Sequence, residues 1–112
     1  MKKTVSLKKN SEFQHVYKNG TAKGSKILVS FVVQNGLDVN RLGVTVSKKM
    51  GKAVMRNLLR RRIKEAFRTL EQDLEGGHDI IILPKPDLAA ARFADVKKTV
   101  GYLMKKQGLK NG

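Results

Sequence analysis

Arg56, Asn57, Arg60, Arg61, Lys64 and Arg68 recur at one-, three- and four-residue steps in one short stretch of the chain. At 100° per residue they share an arc of about 140° on one side of a helix, while Met55, Leu59, Ile63, Ala66, Phe67 and Leu70 gather on the other side. Leu58 and Arg62 fall outside the cationic arc. Like charges four residues apart, such as Arg56, Arg60 and Lys64, destabilise a free helix, and Glu65 is the one acid in the run. A partner of opposite charge must offset that repulsion. Guanidinium forks grip phosphate oxygens two at a time, and the amide of Asn57 matches a base edge or a ribose 2′-hydroxyl. The face therefore reads as a docking surface for the phosphates of a nucleic acid.

Aromatic residues form a second constellation. Phe13 and Tyr17 are four apart on a helix face, and Phe31 alternates with Ile27, Val29 and Val33 on one face of a strand. Such spacing suits a hydrophobic core, and it equally suits a platform on which unpaired bases stack beside a basic groove. Both readings stand at this point.

Chemistry of other kinds has little to work with. The chain has no cysteine, which removes disulfides, thiolate metal sites and a thiol nucleophile. His15 and His78 have no partner at ligand or acid–base spacing, and no serine–histidine–aspartate order, phosphate loop or dinucleotide fingerprint occurs. Glu71, Asp73, Glu75 and Asp79 surround a helix end and the turn after it. The sequence therefore predicts no catalytic residue, no metal ligand and no cofactor or small-molecule substrate bound by the protein itself.

The elements that position these residues follow from periodicity. A single domain is expected from 112 residues, enough to bury a core without staples. With Asn10 as N-cap, Ser11 to Asn19 reads as a helix ended by Gly20. Lys26 to Gln34 and Arg41 to Ser47 read as strands, joined through the turn-forming Asn35-Gly36 into an antiparallel hairpin. Ala53 to Leu74 reads as a long helix stopped by Gly76-Gly77, and His78 to Leu83 as a buried strand stopped by Pro84. Arg92 to Lys106 makes a last helix through Phe93, Val96, Val100, Leu103 and Met104. The fold class is α+β, a sandwich of helices on a small sheet in the order α-β-β-α-β-α, with room for one further strand. The ordered core is expected at about residues 7–106, with basic tails at 1–6 and 107–112.

Charge supports a polyanionic partner. The formal net charge is +15, and residues 41–68 hold ten cations against one acid. A solubilising charge would be spread evenly, so a concentrated basic block flanked by an acidic stretch points to phosphate. The block lacks the Trp- and Phe-rich face of a membrane-surface helix, and no uncharged run approaches the ~20 residues of a membrane span. The amino terminus lacks the apolar run of a signal peptide, so a cytoplasmic protein without membrane contact is expected.

The run from Arg41 to Arg68, RLGVTVSKKMGKAVMRNLLRRRIKEAFR, closely resembles the signature of the bacterial ribonuclease P protein subunit. The resemblance extends to Ser11–Gly20, the strand Asp79–Leu83 and the last helix. It implies a small protein that joins a catalytic RNA and helps it remove the 5′ leader of precursor tRNA, giving the mature 5′ end. In that family the RNA and its magnesium ions perform the hydrolysis, while the protein binds the leader and broadens substrate recognition. The resemblance also implies a central mixed sheet and an unusual left-handed βαβ crossover around the long helix, against the usual preference. It maps RNA contacts onto Arg56, Asn57, Arg60, Arg61 and Lys64, with Lys48, Lys49 and Lys52 in the loop before them, and a leader groove onto Phe13, Tyr17, Val29 and Phe31. Three positions depart from the family's habits: Leu58 replaces a common polar residue, Arg60 a frequent Lys, and Lys64 a frequent Arg. An ammonium at position 64 cannot make a bidentate contact. Two other functions compete, a ribosomal-protein-like binder of structured RNA and a basic DNA-binding module.

Overall fold

Alternation of apolar residues along the strands decides how the chain is layered, and the computed structural model describes it for residues 4–110. The sheet consists of β1 (Thr4–Ser6), β2 (Thr21–Gly24), β3 (Leu28–Gln34), β4 (Asn40–Val44) and β5 (His78–Pro84). Their spatial order is β1-β4-β5-β3-β2. β1 and β5 run parallel to β4, whereas β3 runs antiparallel to both β5 and β2. Three helices complete the fold: α1 (Asn10–Asn19), α2 (Ala53–Arg68) and α3 (Phe93–Lys106).

Leu28, Val32, Leu42, Val44, Ile80 and Ile82 face one way and meet Leu59, Ile63 and Phe67 of α2 and Val96, Val100, Leu103 and Met104 of α3. Residues one step out of phase face the other way. There Ile81 is buried with Leu7 and with Val16 of α1, and Phe13, Tyr17, Phe31, Val33 and Leu83 are only partly covered. Thus α2 and α3 close one face of the sheet, and α1 alone crosses the other.

Several sequence expectations change here. β3 and β4 do not pair as a hairpin, because β5 lies between them. Ile80, Ile81 and Ile82 are all fully buried, and a strand apolar on both sides belongs at the centre, where both faces are covered. The Asn35-Gly36 turn does form, with Gly36 at φ +73°, but Asn35 donates to the Asp79 carboxylate of β5 at 2.9 Å. The turn therefore docks on β5 instead of closing a two-strand ribbon.

The long helix ends at Arg68, six residues earlier than expected from its apolar pattern. The Thr69 hydroxyl donates to the Ala66 carbonyl at 2.7 Å, and a short 3-10 turn, Glu71–Asp73, follows. Continuing the helix would place those acids at its negative end, and leaving it lets Leu74 enter the core, where it is fully buried. The first helix begins one residue early, with Lys9 as N-cap, and the Glu12 carboxylate accepts the backbone N–H groups of Lys8 and Lys9. β3 starts at Leu28, because the Ser25 hydroxyl accepts from the N–H groups of both Ile27 and Leu28 in a tight turn. β4 ends at Val44, though Val46 beyond it still packs in the core.

Order also extends past both expected limits. Thr4–Ser6 adds an edge strand to β4, and Leu109 is fully buried, with its carbonyl accepting from Glu75 N–H at 2.9 Å. Residues 1–3 and 111–112 of the two expected tails lie outside the described residues. β2 has no apolar pattern to betray it, since all four of its residues are exposed.

Candidate nucleic-acid interface

β4 and β5 are parallel neighbours joined through α2, so the basic helix must cross over the sheet, and its apolar stripe fixes how it is turned. Leu59, Ile63, Ala66 and Phe67 are buried beneath it, which leaves Asn57, Arg61, Lys64 and Arg68 exposed and Arg56 and Arg60 half-exposed. Asn57, Arg60, Arg61, Lys64 and Arg68 line one open cleft together with Glu65. Arg60 donates to the Asn57 side-chain oxygen at 2.8 Å, so the two are held side by side. Among the described residues none of these cations forms an ion pair. The Arg56 Nε is buried without a hydrogen-bond partner among the described residues. Met55, placed in the core arc by its angle, is 40% exposed at the start of the helix.

The approach to α2 is built by a cap and a glycine. The Ser47 hydroxyl accepts the Lys49 N–H at 3.2 Å and closes a 3-10 turn over Lys48–Met50, after which Gly51 at φ +130° redirects the chain. Lys48, Lys49 and Lys52 are all exposed on this turn. No acid stands in the first turn of α2 and its N-cap Lys52 makes no side-chain cap, so the positive helix end adds to the same field.

The aromatic constellation lies across the sheet. Phe13 and Tyr17 of α1 and Val29 and Phe31 of β3 all come to the thinly covered face, each of them half-buried. The Tyr17 and Phe31 rings meet edge to face, with centroids 5.2 Å apart and planes at 80°. The Tyr17 hydroxyl donates to Thr45 Oγ1 at 3.1 Å. Phe13 needs Gly43 beneath it, since a Cβ there would stand 2.6 Å from two of its ring carbons. Core packing and an accessible aromatic surface are therefore both present in the same residues. Ile27, expected on this face, packs instead against the helix-covered core, because the Ser25 turn takes it out of the strand's alternation. Val33 and Leu83 share the aromatic face; the two-residue spacing from Ile81 signals Leu83, but a strand apolar throughout its length hides that signal.

An ion-pair network anchors α1 over this face. Arg41 of β4 donates from Nε and Nη2 to the two Asp79 oxygens at 2.7 Å each, and from Nη1 to Glu12 of α1. Burial by itself would raise the Asp79 pKa, but the hydrogen bonds from Arg41 and Asn35 outweigh it and hold the carboxyl below its usual range. Glu12 is lowered as well, chiefly by the Lys9 backbone N–H it caps. Sequence reasoning misses this role for Arg41 and Asp79; the available signal is a lone acid immediately before the triple isoleucine of a buried strand.

His15 pairs with Asn19 at 3.1 Å, and the His78 Nδ1 is buried without a hydrogen-bond partner among the described residues. Among the described residues no three His, Cys, Asp or Glu side chains gather as a metal-holding group.

Known proteins bear directly on this arrangement. The profile of the family described as Ribonuclease P matches residues 1–108. A ribonuclease P protein component from Clostridium botulinum strain 657 is 39% identical over 110 residues, covering 97% of this chain and 99% of its own. That of Caldanaerobacter subterraneus is 40% identical over 107 residues, covering 96% and 92%. Among solved structures, the RNase P protein of Staphylococcus aureus superposes with a TM-score of 0.86 at 30% identity, covering 97% of this chain and all of that one. The RNase P protein of Thermotoga maritima gives 0.84 at 30% identity, covering 90% and 96%. With the mixed sheet, the basic crossover helix and the aromatic face all in place, this chain belongs to the ribonuclease P protein family, the accessory protein subunits of the endoribonuclease that matures tRNA 5′ ends.

Proposed function

We propose that the protein divides its RNA contacts between its two layers. The cationic face of α2 and the Lys48, Lys49 and Lys52 turn engage the backbone of the catalytic RNA, and the aromatic face of Phe13, Tyr17, Val29 and Phe31 receives the single-stranded 5′ leader of precursor tRNA. The observation that carries the reading is a row of cations, without ion pairs among the described residues, on a helix whose Leu59, Ile63, Ala66 and Phe67 are buried in the core. Arg60, Arg61, Lys64 and Arg68 outnumber Glu65 in their cleft and repel one another, and a phosphate backbone is the partner that relieves them with release of counterions. Stacking on half-buried rings suits unpaired bases of any identity.

Hydrolysis then belongs to the catalytic RNA with its magnesium ions, and this chain's residues bind and orient. Among the cations, Arg56, Arg60, Arg61 and Arg68 can fork onto phosphate, whereas Lys48, Lys49, Lys52 and Lys64 act as point charges. The work would proceed in the cytoplasm, where tRNA precursors are made in bacteria. The experiment is to mix the protein with a bacterial ribonuclease P RNA at low magnesium and follow precursor tRNA cleavage. Strong stimulation over RNA alone is expected; cleavage unchanged by the protein would contradict the reading.

A further inference from the structure

Residues 96–112 carry five lysines and no acid, and the contacts proposed above use none of them. Lys97, Lys98 and Lys105 lie on the flank of α3 that faces the exit of α2, and Lys110 folds back beyond the helix to the same place. With Leu70 and Gly101 these lysines line one open cleft on the helical layer, across the sheet from the aromatic face. Lys98 and Lys105 are exposed, Lys97 and Lys110 partly buried. Among the described residues none of the four forms an ion pair. Tyr102, 51% exposed, stands at the rim with the Lys106 ammonium 5.6 Å from its ring centre.

Gly101 is the second observation. Glycine inside a helix is less stable than alanine, so its presence needs a reason. Backbone conformation supplies none, because Gly101 is not among the positive-φ glycines. Crowding supplies none either: a Cβ there would meet Leu70 Cδ1 at 3.6 Å and Lys110 Nζ at 4.0 Å, ordinary packing distances. What the missing side chain does is leave the floor of the lysine cleft bare, so a group entering between the ammonium ions reaches the helix backbone.

We propose that this cleft binds the sugar–phosphate backbone of a duplex segment of the catalytic RNA, as a second contact continuous with that on α2. Four ammonium groups without fork geometry suit a ridge of phosphates better than a base edge. The leader is not the occupant, since the aromatic face lies on the other side of the sheet. Leu70, just past the end of α2, borders the cleft, so an RNA lying along α2 runs onto it.

The proposal rests on the RNA-binding reading above, and its test separates the two. Affinities of the full-length protein for a bacterial ribonuclease P RNA transcript are measured at several salt concentrations, for wild type, Lys98→Gln/Lys105→Gln, Arg60→Gln/Arg61→Gln and Gly101→Ala. Both lysines are exposed, so their loss leaves the fold intact. The lysine pair should flatten the slope of log affinity against log salt by about 1.8, at about 0.9 for each duplex phosphate engaged. Gly101→Ala should raise the thermal midpoint of the free protein while weakening RNA binding roughly two- to tenfold, the opposite sign to a structural effect. If the arginine pair flattens the slope and the lysine pair does not, the cleft is a solvated helix side and the α2 assignment survives alone. If neither does, the RNA reading itself fails and takes the cleft with it. A Gly101→Ala protein with higher midpoint and undiminished affinity would contradict the close approach.

Discussion

The two faces of the sheet are made by one rule and finished differently. Under α2 and α3 the inward residues of β3, β4 and β5 are sealed, and Phe67 is 1% exposed. Under α1 the alternate residues of the same strands meet a single ten-residue helix, and Phe13, Tyr17, Val29 and Phe31 stay half-open. The sealed face lets α2 carry repelling cations, because burial of Leu59, Ile63, Ala66 and Phe67 holds the helix against them. On the other face, stability and recognition share the same rings. A molecule can therefore keep charge recognition apart from its core more easily than aromatic recognition.

The largest difference should come from truncating a ring on each face. Phe67→Ala is expected to lower unfolding stability by about 3–5 kcal/mol, and Phe31→Ala by about 1–2 kcal/mol, because its ring leaves less area and a smaller void. Urea unfolding compares them directly, and equal losses would mean that the aromatic face is simply core.

Next comes the anchor of α1. Arg41→Gln strands the nearly buried Asp79 carboxylate, and a loss of about 2–4 kcal/mol is expected, discounted because Arg41 is itself 25% exposed. Asp79 has a folded pKa below its unfolded one, so its contribution is fully present above the ordinary carboxylate range. It is lost as pH falls through the folded value. Unfolding curves from neutral to acid pH should therefore show the Arg41→Gln defect widest near neutrality and narrowing as pH falls through the ordinary carboxylate range, where the stranded carboxylate and the unfolded chain take up protons before the folded wild-type group does. A gap constant with pH would mean that the defect does not come from a stranded Asp79 charge.

Gly43→Ala probes the shared use of rings more gently. The new methyl must push Phe13 from its seat, at a cost of about 1–3 kcal/mol, and leader binding should fall with it. On the charged face, sulfate should stabilise the free protein beyond chloride at equal ionic strength, by about 1.4 kcal/mol at ten times its dissociation constant. Arg60→Gln/Arg61→Gln should abolish that surplus in thermal melts.

The charged face was legible in the sequence because a helix wheel needs only local spacing, and the angles of Leu59, Ile63 and Phe67 fixed what faced outward. The pairing of strands was not legible, because the place of Ile80-Ile81-Ile82 between β3 and β4 is decided by which strand both layers can cover. The length of α2 was over-read for a related reason: Leu70 and Leu74 continue the apolar rhythm but reach the core from outside the helix. Arg41 with Asp79 and Glu12 escaped notice because they lie 38 and 29 residues apart. Edge strands such as Thr21–Gly24 carry no burial pattern, so only their hydrogen bonds to β3 define them.

The division of labour is tested most directly by a set of affinities. Reconstituted complexes carrying wild type, Tyr17→Leu/Phe31→Leu or Arg60→Gln/Arg61→Gln protein are titrated with precursor tRNA bearing a leader and with mature tRNA, at several salt concentrations. The aromatic pair should lose leader-bearing tRNA selectively, by about 1–3 kcal/mol for each base unstacked, with the salt slope nearly unchanged. The arginine pair should instead weaken assembly of the protein with its RNA whether or not a leader is present, flattening that slope by about 0.9 for each phosphate no longer neutralised. Equal loss of leader-bearing and leaderless tRNA by the aromatic pair would contradict the leader groove and leave those rings as core alone.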